Sequence, residues 1–116
     1  MTAPDMFQAD CPGRQILDTV TSRWGVLILT ALRERPHRFA QLRDRIEGVS
    51  EKMLSQTLRG LTRHGLVLRT VTPTVPVQVT YSLTPLAHDL TDRLTSLVTW
   101  IGAHTDTMLA AAQQDA

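Results

Sequence analysis

Ser50-Glu51-Lys52-Met53-Leu54-Ser55-Gln56-Thr57-Leu58-Arg59-Gly60-Leu61-Thr62-Arg63-His64-Gly65 is the stretch that decides the fold. At about 100° per residue, Leu54, Leu58 and Leu61 share one narrow stripe, and Lys52, Gln56, Arg59 and Arg63 share the opposite one. Ser50 is a good N-cap and Gly65 a good C-terminal stop, so the spacing predicts a helix over about 50–64. Upstream, Phe39, Leu42, Arg43 and Ile46 fit a short helix over about 39–46, closed by Gly48. Before it, Trp24, Leu27, Ile28, Ala31 and Leu32 recur at helical spacing until Pro36 ends the run. Pro12 suits the first turn of a helix near 13–21, with Ile16, Leu17 and Val20 on its apolar side. Residues 1–10 read as a flexible N-terminal tail.

Downstream the period changes. Leu66–Thr72 and Val77–Leu83 are rich in β-branched residues and flank Pro73-Thr74-Val75-Pro76, which predicts a hairpin over about 66–83. Thr84-Pro85 then starts a last helix, with Thr84 as N-cap, running to about 112. Two short helices joined by a tight turn and followed by a hairpin describe a winged helix-turn-helix. The expected fold is mainly α with a small β-hairpin, one domain over 11–116 ending in a long C-terminal helix.

A chain of 116 residues, 42% apolar and 20% charged, can bury one core. Its five aromatic residues (Phe7, Trp24, Phe39, Tyr81 and Trp100) are too scattered for a base-stacking platform. The apolar run Val26-Leu27-Ile28-Leu29 is far short of the roughly 18–20 residues that span a bilayer. Met1–Asp10 has neither the basic nor the apolar segment of a secretory signal. The expectation is a cytoplasmic protein without a membrane partner.

The net charge of +1 hides an asymmetry. Residues 14–69 hold eleven of the twelve basic residues and five acids, whereas residues 1–13 and 70–116 are net acidic. A basic middle between acidic flanks suits a polyanion met by one face. On the predicted helix, Arg or Lys can pair with guanine, Gln with adenine, and any of them with phosphate. Ser55 and Thr62 flank that face, and Ser50 lies at the helix N-terminus, where backbone N–H groups can hold a phosphate. The hairpin tip has no cation between Arg69 and Arg93, which leaves Arg69, at its base, as the best phosphate contact there. The alternative for each is an ordinary solvated surface.

In the last helix Ala87, Leu90, Leu94, Leu97, Ile101, His104, Met108 and Ala111 are spaced 3,4,3,4,3,4,3, a heptad seam. Such a seam can pack on its own domain, on a second chain, or on both. Leu90, Leu94, Leu97, Ile101 and Met108 are the expected dimer contacts. Two-fold symmetry would set two reading helices one DNA turn apart.

Cys11 is the single cysteine, so an intrachain disulfide and a Cys-rich metal site are excluded. A helix N-terminus and Arg14 favour its thiolate and Asp10 opposes it. It is either a reactive thiol or a small apolar residue packed against a partner chain. His37, His64, His88 and His104 show no ligand spacing, so no metal is expected. No phosphate-cradling loop or nucleophile motif is present, and no cofactor is expected. Ser50 and Lys52 have no base or oxyanion donors beside them, so the chain reads as no enzyme.

Cys11-Pro12, Leu17, Trp24, Arg38-Phe39, Leu42, Ser50-Glu51-Lys52-Met53-Leu54, Leu58, Leu61, Gly65-Leu66-Val67, Arg69, Val75-Pro76, Val79, Tyr81 and Leu83-Thr84-Pro85-Leu86 resemble the HxlR-type winged-helix transcription regulators over about 11–100. Thr80 stands where an acid is common and Ala87 where Gly is common, both away from the reading helix. The resemblance implies a homodimeric repressor or activator that binds inverted-repeat operators in double-stranded DNA. It also implies oxidant or electrophile sensing at the position of Cys11. The sequence-level reading is therefore a dimeric DNA-binding regulator with 50–64 as recognition helix, 66–83 as wing and 84–112 as dimerisation helix. Its inducer is an electrophile, or a small molecule held between the last helices near Trp100 and Met108, or it has none. The other reading keeps the fold as a dimerisation module that binds a ligand or protein partner without strong DNA affinity.

Overall fold

The computed structural model describes residues 3–114. Its elements are α1 (Gly13–Thr21), α2 (Arg23–Glu34), β1 (His37–Arg38), α3 (Phe39–Arg45), α4 (Glu51–Arg63), β2 (Val67–Thr72), β3 (Gln78–Leu83) and α5 (Pro85–Gln114). Helices dominate, and the small antiparallel sheet has the order β1-β3-β2. Every helix and both hairpin strands fall within two residues of their sequence-based bounds.

The third strand is the element that sequence reasoning missed. Pro36 ends α2, and His37 and Arg38 then pair with Tyr81 and Thr80 of β3. Two residues are too few to show an alternation, so β1 has no sequence signature. His37 is buried, with Nδ1 2.7 Å from the Arg35 carbonyl oxygen. The Gln41 side chain accepts from the Arg38 backbone N–H at 2.8 Å and so starts α3 beside the sheet.

The core forms where α2 lies across α4. Ile28, Leu29 and Leu32 of α2 meet Leu54, Leu58 and Leu61 of α4, with Leu42 of α3 and Val67 of β2 closing the sides. The leucine stripe of α4 is therefore the buried stripe that the helical wheel assigned. Ser50 Oγ accepts from the Met53 backbone N–H at 3.1 Å and fixes the start of α4. Gly65 ends it at φ +75°, a conformation that residues with a Cβ rarely adopt. Gly48, just after α3, has φ +93° for the same turn-making reason.

Thr84 departs from its expected role. Its hydroxyl donates to the Gly65 carbonyl at 2.6 Å instead of capping α5. The first turn of α5 is thereby tied to the end of α4, and the Thr84 backbone N–H donates to Leu66 at 3.1 Å. Ahead of α1, residues 5–11 form successive turns, and the Arg14 guanidinium donates to the carbonyls of Met6 and Phe7 at 2.7 and 2.9 Å.

The seam of α5 divides in two. Ala87, Thr91 and Leu94 are buried against this chain's own core, with Leu90 half-buried beside them. Leu94 thus belongs to the intramolecular core and is 6% exposed. From Thr99 to Gln114 every residue except Thr105 is exposed. Leu97, Trp100, Ile101, Met108 and Leu109 are all exposed large apolar groups along this half. Among the described residues, no helix is long and apolar enough to cross a membrane.

Candidate nucleic-acid interface

Because the leucines of α4 point inward, Lys52, Gln56, Arg59 and Arg63 must point outward, and all four are exposed. In β2, Arg69 lies opposite Tyr81 of β3 in the strand register. The hairpin folds back so that this pair faces the C-terminal half of α4. A groove of about 530 Å³ results, lined by Ser55, Arg59, Thr62, Arg63, Arg69 and Tyr81. Ser55, Arg59, Arg63 and Arg69 are thus brought together, whereas Gln56 and Lys52 stand outside the groove, about one and two turns before Arg59 towards the N-terminus of α4. Ser50 stands apart at the helix start, where its oxygen is engaged by the Met53 N–H. Its hydroxyl proton stays available to a phosphate, although Glu51 in the first turn adds negative charge. Tyr81 is the groove residue that sequence reasoning did not single out. Its cross-strand register with Arg69 is the signal that locates it.

Ion pairing sorts the basic residues. Arg33 pairs with Asp92 at 2.6 Å, Arg43 with Glu51 at 2.7 Å, and Arg45 with Glu34 at 3.0 Å. Arg14 is used by backbone carbonyls, and Arg23 lies over the Trp24 ring, 5.4 Å from its centroid. Among the described residues, Arg59, Arg63 and Arg69 have no carboxylate partner, and neither does Lys52. The cations left uncompensated therefore include the three of the groove, and their field adds at one place.

Two of the ion pairs also bridge neighbouring elements of the helix-turn-helix. Arg45–Glu34 ties α3 to α2, and Arg43–Glu51 ties α3 to the first turn of α4. The hydrogen bond from Arg45 holds the Glu34 carboxyl below its ordinary value, with the Arg45 charge, His37 and Arg35 acting in the same direction and burial opposing.

Cys11 is 8% exposed and lies in the wall of a surface concavity with Asp10, Arg14, Gln15 and Asp18. Arg14, which the sequence reading set beside the thiol as a thiolate-stabilising charge, instead spends its guanidinium on the carbonyls of Met6 and Phe7. No group of three His, Cys, Asp or Glu side chains among the described residues is placed to hold a metal ion.

The model of the HxlR-like helix-turn-helix family matches residues 19–108. The chain belongs to this family. Among its HxlR relatives, the HTH-type transcriptional regulator YtfH of Escherichia coli is 47% identical over 112 residues, 97% of this chain and 89% of the relative. The transcriptional regulator YtfH of Salmonella typhimurium superposes with a TM-score of 0.91 at 46% identity, covering 96% of this chain and 99% of that one. The reduced form of the transcriptional regulator YodB from B. subtilis superposes at 0.68 with 30% identity, over 87% and 92% of the two chains. YodB has also been solved after diamide treatment. The fold and the family expected from the sequence are thus the ones found, and these HxlR relatives are transcriptional regulators.

Replacing Glu34 by Gln tests the α2–α3 tie. Both side chains are half-exposed, so the expected loss at neutral pH is small, a shift of roughly a few tenths molar in the urea midpoint. Glu34 has a lowered folded-state value, so its contribution is complete above the ordinary 4.5 and is lost as pH falls through the lowered one. Wild type and Glu34→Gln should therefore differ at pH 7 and converge in acid. A gap of the same size at about pH 3 would show that the carboxylate does not carry it.

Proposed function

We propose that this chain is a homodimeric DNA-binding transcriptional regulator acting in the cytoplasm, with α4 as its recognition helix and the β2–β3 hairpin as its wing. The observation that carries this reading is the convergence of Arg59, Arg63 and Arg69, none with an acid partner among the described residues, on the groove between α4 and the hairpin. Phosphates supply the anion that such a groove lacks, and base edges in the major groove suit the outward stripe of α4. Arg59 and Gln56 read bases. Lys52, Arg63 and Arg69 hold the backbone, with Ser50 and Ser55 at its margins. The wing tip is uncharged, so the wing acts through its base.

The dimer reading rests on α5. Its second half displays Leu97, Ile101 and Met108 on the heptad seam, with Trp100 and Leu109 widening the strip. Exposed apolar surface of this extent marks an association face. Ile16 and Leu17 of α1 and Phe7 ahead of it are exposed apolar groups as well. Leu90 and Leu94 serve the chain's own core, so the intersubunit seam begins at Leu97. A two-fold related pair of α4 helices then matches an inverted repeat in duplex DNA.

Cys11 is the candidate sensor of an oxidant or electrophile. Its place in the wall of a concavity supports access by small reagents, and the diamide-treated and reduced forms of YodB give a relative studied in both states. With one cysteine per chain, two thiols of a dimer lose two electrons to diamide and join as an intersubunit disulfide, or each forms a mixed disulfide or adduct.

Three measurements follow. On an operator selected from a random duplex pool, Arg59→Ala should cost about 1–3 kcal/mol of specific binding and relax one base position. Arg63→Ala or Arg69→Ala should weaken all sequences alike and reduce the salt slope by about one. Unchanged affinity, specificity and salt slope in all three, with the fold intact, would refute the interface. In sedimentation, Leu97→Glu with Ile101→Glu should give a folded monomer that has lost operator affinity; a dimer that persists would mean the seam lies elsewhere. Diamide should lower operator affinity of wild type and leave Cys11→Ser unaffected, and equal responses of the two would make the thiol structural.

A further inference from the structure

A cavity of about 260 Å³ opens where α2, the end of α3 and the middle of α5 meet. Leu27, Thr30 and Ala31 of α2, Ile46 after α3 and Val98 of α5 form a largely apolar floor, the Thr30 hydroxyl donating to the Val26 carbonyl at 2.7 Å. Arg45 and Glu47 stand at its mouth. Both α3 and α5 pack on α2, and the cavity lies in the gap between them.

The mouth defines what would fit. Arg45 uses Nε and Nη2 on the two Glu34 oxygens, at 3.1 and 3.0 Å. Its Nη1 donors and the Glu47 carboxylate have no partner among the described residues. An anion would meet both Glu34 and Glu47. A cation would pair with Glu47 but leave the Nη1 donors of Arg45 unmet. An uncharged molecule with a hydroxyl can donate to Glu47 and accept from Arg45 at once, while an apolar body fills the floor. A dry cavity of about 150 Å³ takes one benzene ring, so this one has room for a two-ring molecule.

We propose that this cavity is an effector site for an uncharged, phenol-like molecule, and that its occupancy is felt at the recognition helix through α3. The molecule would bridge Ile46 and Val98 and so join α3 to the long helix across the cavity. The Arg43–Glu51 pair, at 2.7 Å, passes any shift of α3 to the first turn of α4. The coupling part of this proposal rests on the DNA-binding reading above; the binding part does not. It is distinct from the Cys11 concavity, which is lined by residues of the N-terminal segment and α1.

The probe is 2-naphthol, with naphthalene and 2-naphthoate as comparisons, titrated against the full chain by calorimetry and fluorescence. The expected result is saturable binding of one 2-naphthol per chain, with naphthalene and 2-naphthoate at least tenfold weaker. Glu47→Ala, an exposed position, should keep the fold and weaken 2-naphthol about tenfold. Val98→Phe should fill the cavity and abolish binding. Absence of saturation, or equal affinity in wild type and Glu47→Ala, overturns the site even if Val98→Phe does not fold. Saturating 2-naphthol should change operator affinity of wild type at least threefold, and Glu47→Ala should need about ten times the concentration for the same change. Unchanged operator affinity with the cavity filled overturns the coupling. Failure of the ligand-free protein to bind any duplex from the pool would refute the DNA-binding reading and leave the 2-naphthol titration as the test of the site.

Discussion

Burial of three leucines on one side of α4 is the constraint on which the other features depend. Leu54, Leu58 and Leu61 are within 2% of complete burial against α2, and removing any of them would cost about 2–5 kcal/mol by loss of transfer energy and cavity formation. A helix held this way cannot rotate about its axis without exposing the stripe. The arc that carries Lys52, Gln56, Arg59 and Arg63 is thus fixed by what lies behind it. The Ser50 cap and the Gly65 stop set where that arc begins and ends, and the bond from Thr84 to Gly65 carries the same frame into α5. The exposed face of α4 is in this sense a by-product of packing on its inside.

Charge works on top of this frame in two different ways. Arg33, Arg43 and Arg45 meet carboxylates of other elements and hold the helices in place. Arg59, Arg63 and Arg69 meet none among the described residues and stay directed at the groove. The sequence alone counts them all alike, as a basic middle between acidic flanks. Side-chain pairing separates structural cations from those left for a ligand, and pairing depends on contacts between elements remote in sequence. Arg33 and Asp92, 59 residues apart, are an instance.

The same distinction explains how much could be read in advance. Elements with a period were legible: the helices through leucine spacing and their Pro, Ser and Gly boundaries, the hairpin through its β-branched runs around Pro73 and Pro76. The outward stripe of α4 was legible because it is the complement of a core stripe. What depends on a contact between distant segments was not. β1 exists only because Tyr81 and Thr80 are there to pair with, and Thr84 turns from cap to tie because Gly65 lies beside it. Tyr81 joins the groove through its register with Arg69. Leu94 and Leu97 look equivalent in the heptad, and only the position of α2 makes one a core residue and the other a surface residue. Arg14, near Cys11 in sequence, is drawn off by the carbonyls of Met6 and Phe7.

The exposed half of α5 has a thermodynamic consequence. Beyond Val98 roughly four turns of helix extend with almost no side chain covered by this chain, and an isolated segment of that length is marginal in water. Its helical order is therefore not underwritten by the core that holds the first half. Whatever surface comes to lie along Leu97, Ile101 and Met108 also supplies the free energy that keeps these turns wound, so that winding and association form one equilibrium.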